Sequence, residues 1–220
     1  MMDIFYLLTA SLKIFCYLII GIYLLKEWIK LEKKYTSDLP FLMGISVLFL
    51  IPGTIIDINV IIFSIEPCFI YNIRYSLDLI AIQLILGAML SIWMSSKVKI
   101  RYTIVITASV LFITVLMLLP SDVIYLDIAA AIITLPTLIS MIITFMFTYF
   151  TKRLRNVNGL LISIAAIVII IGSIIRPFLK TIAISPIMPY GLSWFTNLTL
   201  IIGWFLMYFG LKLRPSYFKD

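Results

Sequence analysis

Lys13 has the most unusual setting of any ionisable residue in this chain. It lies nine residues into an apolar run that opens at Ile4, and a rise of about 1.5 Å per residue places it roughly 13 Å below the boundary of a bilayer core. An unpaired charge at that depth costs about 3 kcal/mol. Tyr6, Thr9 and Tyr17 share its helical face by three- and four-residue spacing. This pattern fits a ligand or coupling-ion contact; alternatively, the lysine snorkels outward or is neutralised by a structural carboxylate.

Three aspartates and one arginine lie near the same predicted ends of neighbouring apolar runs: Asp57, Asp78, Asp127 and Arg176. Such groups could line a vestibule that binds a charged ligand. The simpler alternative is structural, with charges that cap helix ends or pair across them close to headgroup water, where their cost is small. On the first interpretation these four and Lys13 are the candidate ligand-binding residues.

Hydroxyl groups form a stripe along the fifth apolar run, within a sector about 120° wide at about 100° per residue. The stripe contains Thr134, Thr137, Ser140, Thr144, Thr148 and Thr151. It could line a polar path, with Thr134, Thr137 and Thr144 as the candidate lining residues. Alternatively, these hydroxyls bond back to carbonyls one turn earlier or join neighbouring helices.

A weak internal repeat is visible when the chain is shifted by 119 residues against itself. The shift places Gly53-Thr54-Ile55-Ile56-Asp57 over Gly172-Ser173-Ile174-Ile175-Arg176, and Asp78 over Asn197. Parallel duplication is one way to build a transporter, and Pro52 before Gly53 should kink or open its helix. Chance identity in an isoleucine-rich chain is the alternative, because the first and fifth runs align poorly.

Several kinds of chemistry are excluded by composition. The chain has no histidine, which removes histidine-ligated haem, histidine-containing zinc sites and imidazole bases. Walker-type loops, HExxH and GxSxG motifs are also missing. A metal-dependent enzyme built on Asp57 or Asp78 would lack the dense acidic motif that such chemistry needs. We therefore predict no catalytic residues, no metal, no cofactor and no enzymatic activity.

The elements that position these residues are apolar runs long enough to span a bilayer. Apolar residues make up 63% of the 220 residues, charged residues 12%, and mean hydropathy is +1.18, which predicts an all-α, multi-pass bundle in the cell membrane, surrounded by lipid and forming one domain over residues 1–220. The seven runs are approximately Ile4 to Leu25, Phe41 to Phe63, Ser76 to Met94, Tyr102 to Leu119, Val123 to Phe150, Leu160 to Ile175 and Gly191 to Leu211. The count depends on a tight turn at Pro120-Ser121-Asp122.

Basic residues predict the orientation, because cytoplasmic segments carry the excess of Lys and Arg. Segments after the first, third, fifth and seventh runs contain thirteen: Lys26, Lys30, Lys33, Lys34, Lys97, Lys99, Arg101, Lys152, Arg153, Arg155, Lys212, Arg214 and Lys219. The other side has Arg74, Arg176 and Lys180. This bias predicts an external N-terminus and a cytoplasmic C-terminus, and it explains the net charge of +7 without nucleic acid as a partner.

Two function classes remain open. The first is a non-catalytic seven-helix module, either sensor-like or a subunit of a membrane complex, that acts through a separate effector or partner. The second is a small-solute or ion transporter in which three helices, a linker helix and three further helices follow one another. A repeat visible in the structure would favour transport.

Overall fold

A computed structural model describes residues 4–33, 35–36, 38–63, 69–94, 96–120, 123–154, 157–182 and 193–213, and these residues form seven helices. The helices are α1 (Ile4–Ile29), α2 (Leu39–Phe63), α3 (Phe69–Trp93), α4 (Val98–Leu118), α5 (Val123–Phe150), α6 (Gly159–Ile182) and α7 (Ser193–Lys212). No strand occurs in these ranges. All seven are long and apolar enough to cross a bilayer. The predicted all-α fold with seven spans is confirmed, and the chain is a multi-pass membrane protein.

The predicted boundaries differ most from the structure at the start of α3 and at the end of α6. Helix α3 begins at Phe69 and not at Ser76, so two additional turns precede the predicted start. Polar residues in those turns hid the helix from a hydropathy argument, but they are bonded inside the bundle: Asn72 donates to the Leu116 carbonyl of α4 at 2.8 Å. Helix α6 ends at Ile182 and not at Ile175, so about two additional turns follow the predicted end. The predicted start of α7 at Gly191 lies outside the described residues.

Two helices continue through a proline. Helix α2 contains Pro52 and α5 contains Pro136, and both prolines are on an exposed face. Because α2 is one helix from Leu39 to Phe63, Pro52 does not divide it into two. Proline inside a helix is tolerated in membrane spans, because neighbouring polar groups form hydrogen bonds with the backbone carbonyl that loses its partner.

Six helices form a closed ring. Helix α1 packs against α2 and α7, α2 against α3, α3 against α5, α5 against α6, and α6 against α7. Helix α4 packs mainly against α3 and barely touches α5, and it buries only Arg101 and Leu116. We call α1–α3 the first half and α5–α7 the second half. Exchanging the two halves leaves the order of contacts within the ring unchanged, whereas α4 packs on α3 and not on its counterpart α7.

Side-chain contacts define the two ends of the ring. The Tyr75 hydroxyl donates to Asp127 near the starts of α3 and α5, and Trp93 donates to Thr144 at 2.9 Å near their ends. These helices therefore run in the same direction. We call the end at which α1, α3, α5 and α7 begin the upper end, and the end at which they finish the lower end.

The lower half of the ring is filled by one apolar cluster to which both halves contribute. Tyr17 of α1 packs edge-on against Trp204 of α7, with ring centroids 5.9 Å apart. The other large members with almost no exposed surface are Ile20, Met43, Ile85, Met89, Met141, Phe145 and Ile162. Close packing of α6 and α7 requires Gly203, because a Cβ there would lie 2.6 Å from Cγ1 of Ile169. The upper half, in contrast, contains a cavity.

Candidate functional site

The cavity lies between the two halves and has a volume of about 110 Å³. All six ring helices contribute to its wall, and α4 does not. A space of this size accommodates several water molecules or a small solute. Five of the eight candidate residues line it: Lys13, Asp78, Asp127, Thr134 and Arg176.

Arg74 organises the charges at the upper end of the first half. Its Nε and Nη2 donate to the two carboxylate oxygens of Asp57, both at 3.0 Å. Its Nη1 lies 2.9 Å from Oδ2 of Asp78, one helical turn further along α3. This bidentate geometry is the strong form of the arginine–carboxylate contact. Arg74 and Asp57 are buried, so the α2–α3 pair holds a compensated ionic cluster away from water.

Arg176 extends this cluster to the second half. Its Nη2 lies 3.5 Å from Oδ2 of Asp57, and its Nε lies 3.4 Å from Oδ1 of Asp127. Asp127 also accepts a hydrogen bond from the Tyr75 hydroxyl. The Tyr75 ring centroid lies 4.3 Å from the Arg74 guanidinium. We call Asp57, Arg74, Asp78, Asp127 and Arg176 the ionic network; it connects the two halves at the upper end.

The network bears on both interpretations of the aspartates. They pair across helices, as the structural alternative expects, while Asp78, Asp127 and Arg176 also line a cavity, as the ligand alternative expects. Asp57 lies behind the wall, bonded to both arginines. Their role as ligand-binding residues stays a prediction.

Lys13 is buried and lies outside the ionic network. Its Nζ donates to Oδ1 of Asn197 at 2.9 Å, and Nδ2 of Asn197 in turn donates to Oγ1 of Thr9 at 3.3 Å. Among the described residues, no carboxylate oxygen lies within 4.0 Å of this ammonium group. With only 3% of its surface exposed, Lys13 does not snorkel outward. Its polar contacts join α1 to α7, and so join the two halves.

The hydroxyl stripe of α5 divides between the cavity and helix packing. Thr134 lines the cavity, and its hydroxyl donates to the Ala131 carbonyl at 3.3 Å. Thr137 and Thr144 are buried but do not line the cavity, and the Thr144 hydroxyl accepts a hydrogen bond from the Trp93 indole N–H. In this state of the protein, only Thr134 of the three is placed to contact a solute.

The residues matched by the 119-residue shift meet at the cavity. Two pairs line the cavity from α2 and α6, and one pair makes an ionic contact: Leu50 with Ile169, Thr54 with Ser173, and Asp57 with Arg176. The duplication that the shift suggests stays a prediction.

Gly53 has a steric role beside the cavity. A Cβ at this position would lie 2.8 Å from Oδ1 of Asp78, so only glycine lets that carboxylate rest against the backbone of α2. A Cβ at its matched residue Gly172 would make a less severe contact, at 3.3 Å from Thr199 of α7.

Three residues of the site were not identified from the sequence. Arg74 was counted as a loop cation, although its spacing of four residues from Asp78 would place both on one helical face. Asn197 appeared only as the match of Asp78 in the repeat. Nothing in the sequence singles out Tyr75 as the partner of Asp127.

The arrangement suits charge recognition. Within the part of the chain that the structure describes, no three His, Cys, Asp or Glu side chains are grouped to hold a metal ion, and a guanidinium lies beside each of the three aspartates. The wall offers cationic donors, one partly exposed carboxylate and hydroxyl groups. These are the groups that bind polar solutes.

Comparison with known proteins gave no match: the chain matches no protein-family model, no curated protein and no solved structure.

Proposed function

We propose that this protein transports a small polar solute through the cavity between its two three-helix halves. One observation carries the proposal: a charged cavity lies at the contact of two halves whose helices share a packing pattern in the ring, and residues matched by the 119-residue shift contribute to its wall from both halves. In transporters built from repeats, the substrate site lies near the bilayer midplane at the repeat interface.

The depth of the polar groups supports this proposal. The cavity extends from the ionic network to Ile82, at the centre of α3. Ionisable groups inside a membrane are costly and commonly line solute or ion pathways. A purely structural core could use apolar residues of similar volume at lower cost.

The two ends of the cavity suggest how access would alternate. The apolar cluster around Tyr17 and Trp204 closes the lower half, while the ionic network connects the halves above. Passage of a solute requires the halves to separate below, at contacts such as the Trp93–Thr144 bond. Rocking of one repeat against the other around a fixed site is the common solution.

The sensor-like module or complex subunit is the alternative. In that case the cavity would bind a ligand without moving it, and a partner protein would carry the signal. Neither proposal includes an enzymatic step or a cofactor at the cavity. A measurement of solute flux distinguishes the transporter from the module.

The test is solute flux in liposomes that contain the purified protein. Tracers of zwitterionic, anionic, cationic and neutral solutes are screened with wild type, Lys13→Ala and Asp57→Asn. Matched controls are Lys99→Ala on the exposed surface of α4 and Glu27→Gln near the lower end of α1. We expect flux above empty liposomes for at least one solute, at least a tenfold loss in Lys13→Ala, which changes the cavity wall, and in Asp57→Asn, which changes the ionic network behind it, and no loss in the controls. No flux under any condition would exclude transport and favour the module.

A further inference from the structure

We propose that the cavity binds a small zwitterion of the amino-acid type, whose carboxylate contacts Lys13 and whose ammonium contacts Asp78. The inference rests on the proposed function, since it treats the cavity as a solute site. It is tested by binding, so the two can fail separately.

Lys13 provides the anion-binding side. An ammonium group has three donors, and the amide oxygen of Asn197 accepts one of them. The side chain lines the cavity, and the described residues place no carboxylate oxygen within 4.0 Å of it. A neutral amide is a weak partner for a buried cation. A ligand carboxylate would supply the missing charge.

Asp78 provides the cation-binding side. Asp57 lies beside two arginines, and Asp127 beside Arg176 and Tyr75. Asp78 contacts only Arg74 among the described charged groups, through Oδ2. Its side chain is 26% exposed, against 6% for Asp57 and 3% for Asp127. A carboxylate has about four lone-pair sites, so Asp78 can accept a ligand ammonium while it keeps its arginine.

The balance of charge favours a ligand with no net charge. Three cations and two carboxylates line the cavity: Lys13, Arg74 and Arg176, with Asp78 and Asp127. The third carboxylate, Asp57, lies directly behind the wall and pairs with both arginines, so the charges at the cavity balance. A simple anion or cation would leave an unbalanced charge inside the membrane, which is costly. A neutral polyol would leave the Lys13 ammonium without a charged partner. A zwitterion satisfies both Lys13 and Asp78 and keeps the total at zero.

The remaining wall limits the size of the ligand. Towards the lower end the cavity is bounded by Ile82, Leu138 and Trp204, and its volume is about 110 Å³. This space fits a compact zwitterion with a short apolar substituent, and the apolar side chains would contact that substituent.

The experiment measures ligand binding to purified wild-type protein in detergent, by calorimetry and thermal stabilisation. The zwitterions are glycine, L-alanine and γ-aminobutyrate. Each is compared with the carboxylate that lacks its amine and the amine that lacks its carboxylate, and glycerol is the neutral probe. We expect at least one zwitterion to bind at least tenfold more tightly than its two matched fragments. Equal binding of a fragment or of glycerol, or no binding of any zwitterion, would overturn the inference.

Two variants should change the charge preference in opposite directions. Lys13→Met removes the cation and should shift preference from the zwitterion to the amine, whereas Asp78→Asn should shift it to the carboxylate. Lys99→Met and Asp38→Asn, both distant from the cavity, should keep the wild-type preference. Unchanged preference in folded Lys13→Met and Asp78→Asn would contradict the inference. If either fails to fold, the wild-type comparison still decides.

Flux and binding together separate the two proposals. Transport of solutes without a preference for zwitterions contradicts this inference and leaves the proposed function standing. Zwitterion binding without flux supports the inference and contradicts transport.

Discussion

At the residue scale, Arg74 compensates two aspartates that belong to different helices. It contacts Asp57 through two hydrogen bonds and Asp78 through a third nitrogen. Removing one member of a buried ionic group leaves the others uncompensated, which costs more than the group contributes when complete. We therefore expect the loss of Arg74 to lower the stability of the protein more than the loss of any other charged residue.

We expect Arg74→Leu to lower the free energy of unfolding by about 3–5 kcal/mol, because it leaves buried carboxylates unpaired. Arg74→Lys should recover only part of this loss, since a lysine cannot form the bidentate contact. Thermal unfolding in detergent measures both, with Lys99→Leu as the control. An Arg74→Leu protein as stable as wild type would show that the network is not structural.

Asn197→Asp should separate stability from binding. The new carboxylate would pair with Lys13 inside the protein, where the amide oxygen now lies 2.9 Å away, so thermal stability should stay equal or rise. The same pairing competes with a ligand carboxylate, and zwitterion affinity should fall at least tenfold. Asn197→Leu is the comparison, because it removes the acceptor and should destabilise the protein. Undiminished affinity in Asn197→Asp would argue against Lys13 as the carboxylate contact.

The sequence identifies isolated charges better than their partners. The depth of Lys13 follows from counting residues in one apolar run, so its burial in the bundle could be inferred. Its bond to Asn197 depends on α1 and α7 being neighbours, which is a tertiary fact that no local pattern contains. Arg74 was misplaced for a related reason: polar residues at the start of α3 hide a helix whose polar groups are satisfied only by packing.

At the element scale, the approach of α2 to α3 depends on Gly53. The 119-residue shift aligns this glycine with Gly172, but its contact with the Asp78 carboxylate follows only from the packing of α2 against α3. The threonines of α5 show the same limit. Threonines of one helical face have different roles: Thr134 lines the cavity, and Thr144 accepts a hydrogen bond from Trp93 of α3. The roles differ because α5 meets different neighbours along its length.

We expect Gly53→Ala to impair zwitterion binding without loss of fold, because the added methyl would lie 2.8 Å from the Asp78 carboxylate and displace it. Gly87→Ala in α3 is the matched control, since its methyl would meet its nearest neighbour at an ordinary 3.5 Å. Affinity should fall at least tenfold in the first variant and stay unchanged in the second. Equal affinities in the two variants would contradict a role for Asp78 in the site.

At the scale of the whole molecule, the number and class of the helices follow from hydropathy alone, because the membrane imposes helices of nearly fixed length. The closed ring of six helices with α4 outside does not follow from hydropathy. All seven runs have similar apolar content, so nothing local distinguishes the peripheral helix.

The predicted orientation can be checked by cysteine labelling in intact cells. With Cys16→Ser, the native Cys68, which lies outside the described residues, should react with an impermeant maleimide added externally. With Cys16→Ser and Cys68→Ser, a cysteine introduced by Lys152→Cys should react only after permeabilisation, because Lys152 follows the fifth span on the basic side. Labelling of Cys68 and of the introduced cysteine from the same side would invalidate the topology.

The position of α4 outside the ring has a consequence for how the two halves are inserted. A unit of three spans finishes on the face opposite to its start, so a second such unit joined directly would enter the bilayer upside down. The additional span, α4, brings the chain back to the starting side, so that α5–α7 enter the bilayer in the same orientation as α1–α3. Deleting α4 should therefore invert α5–α7 and move Arg176 to the leaflet opposite Asp57, a change that no repacking within the ring could repair.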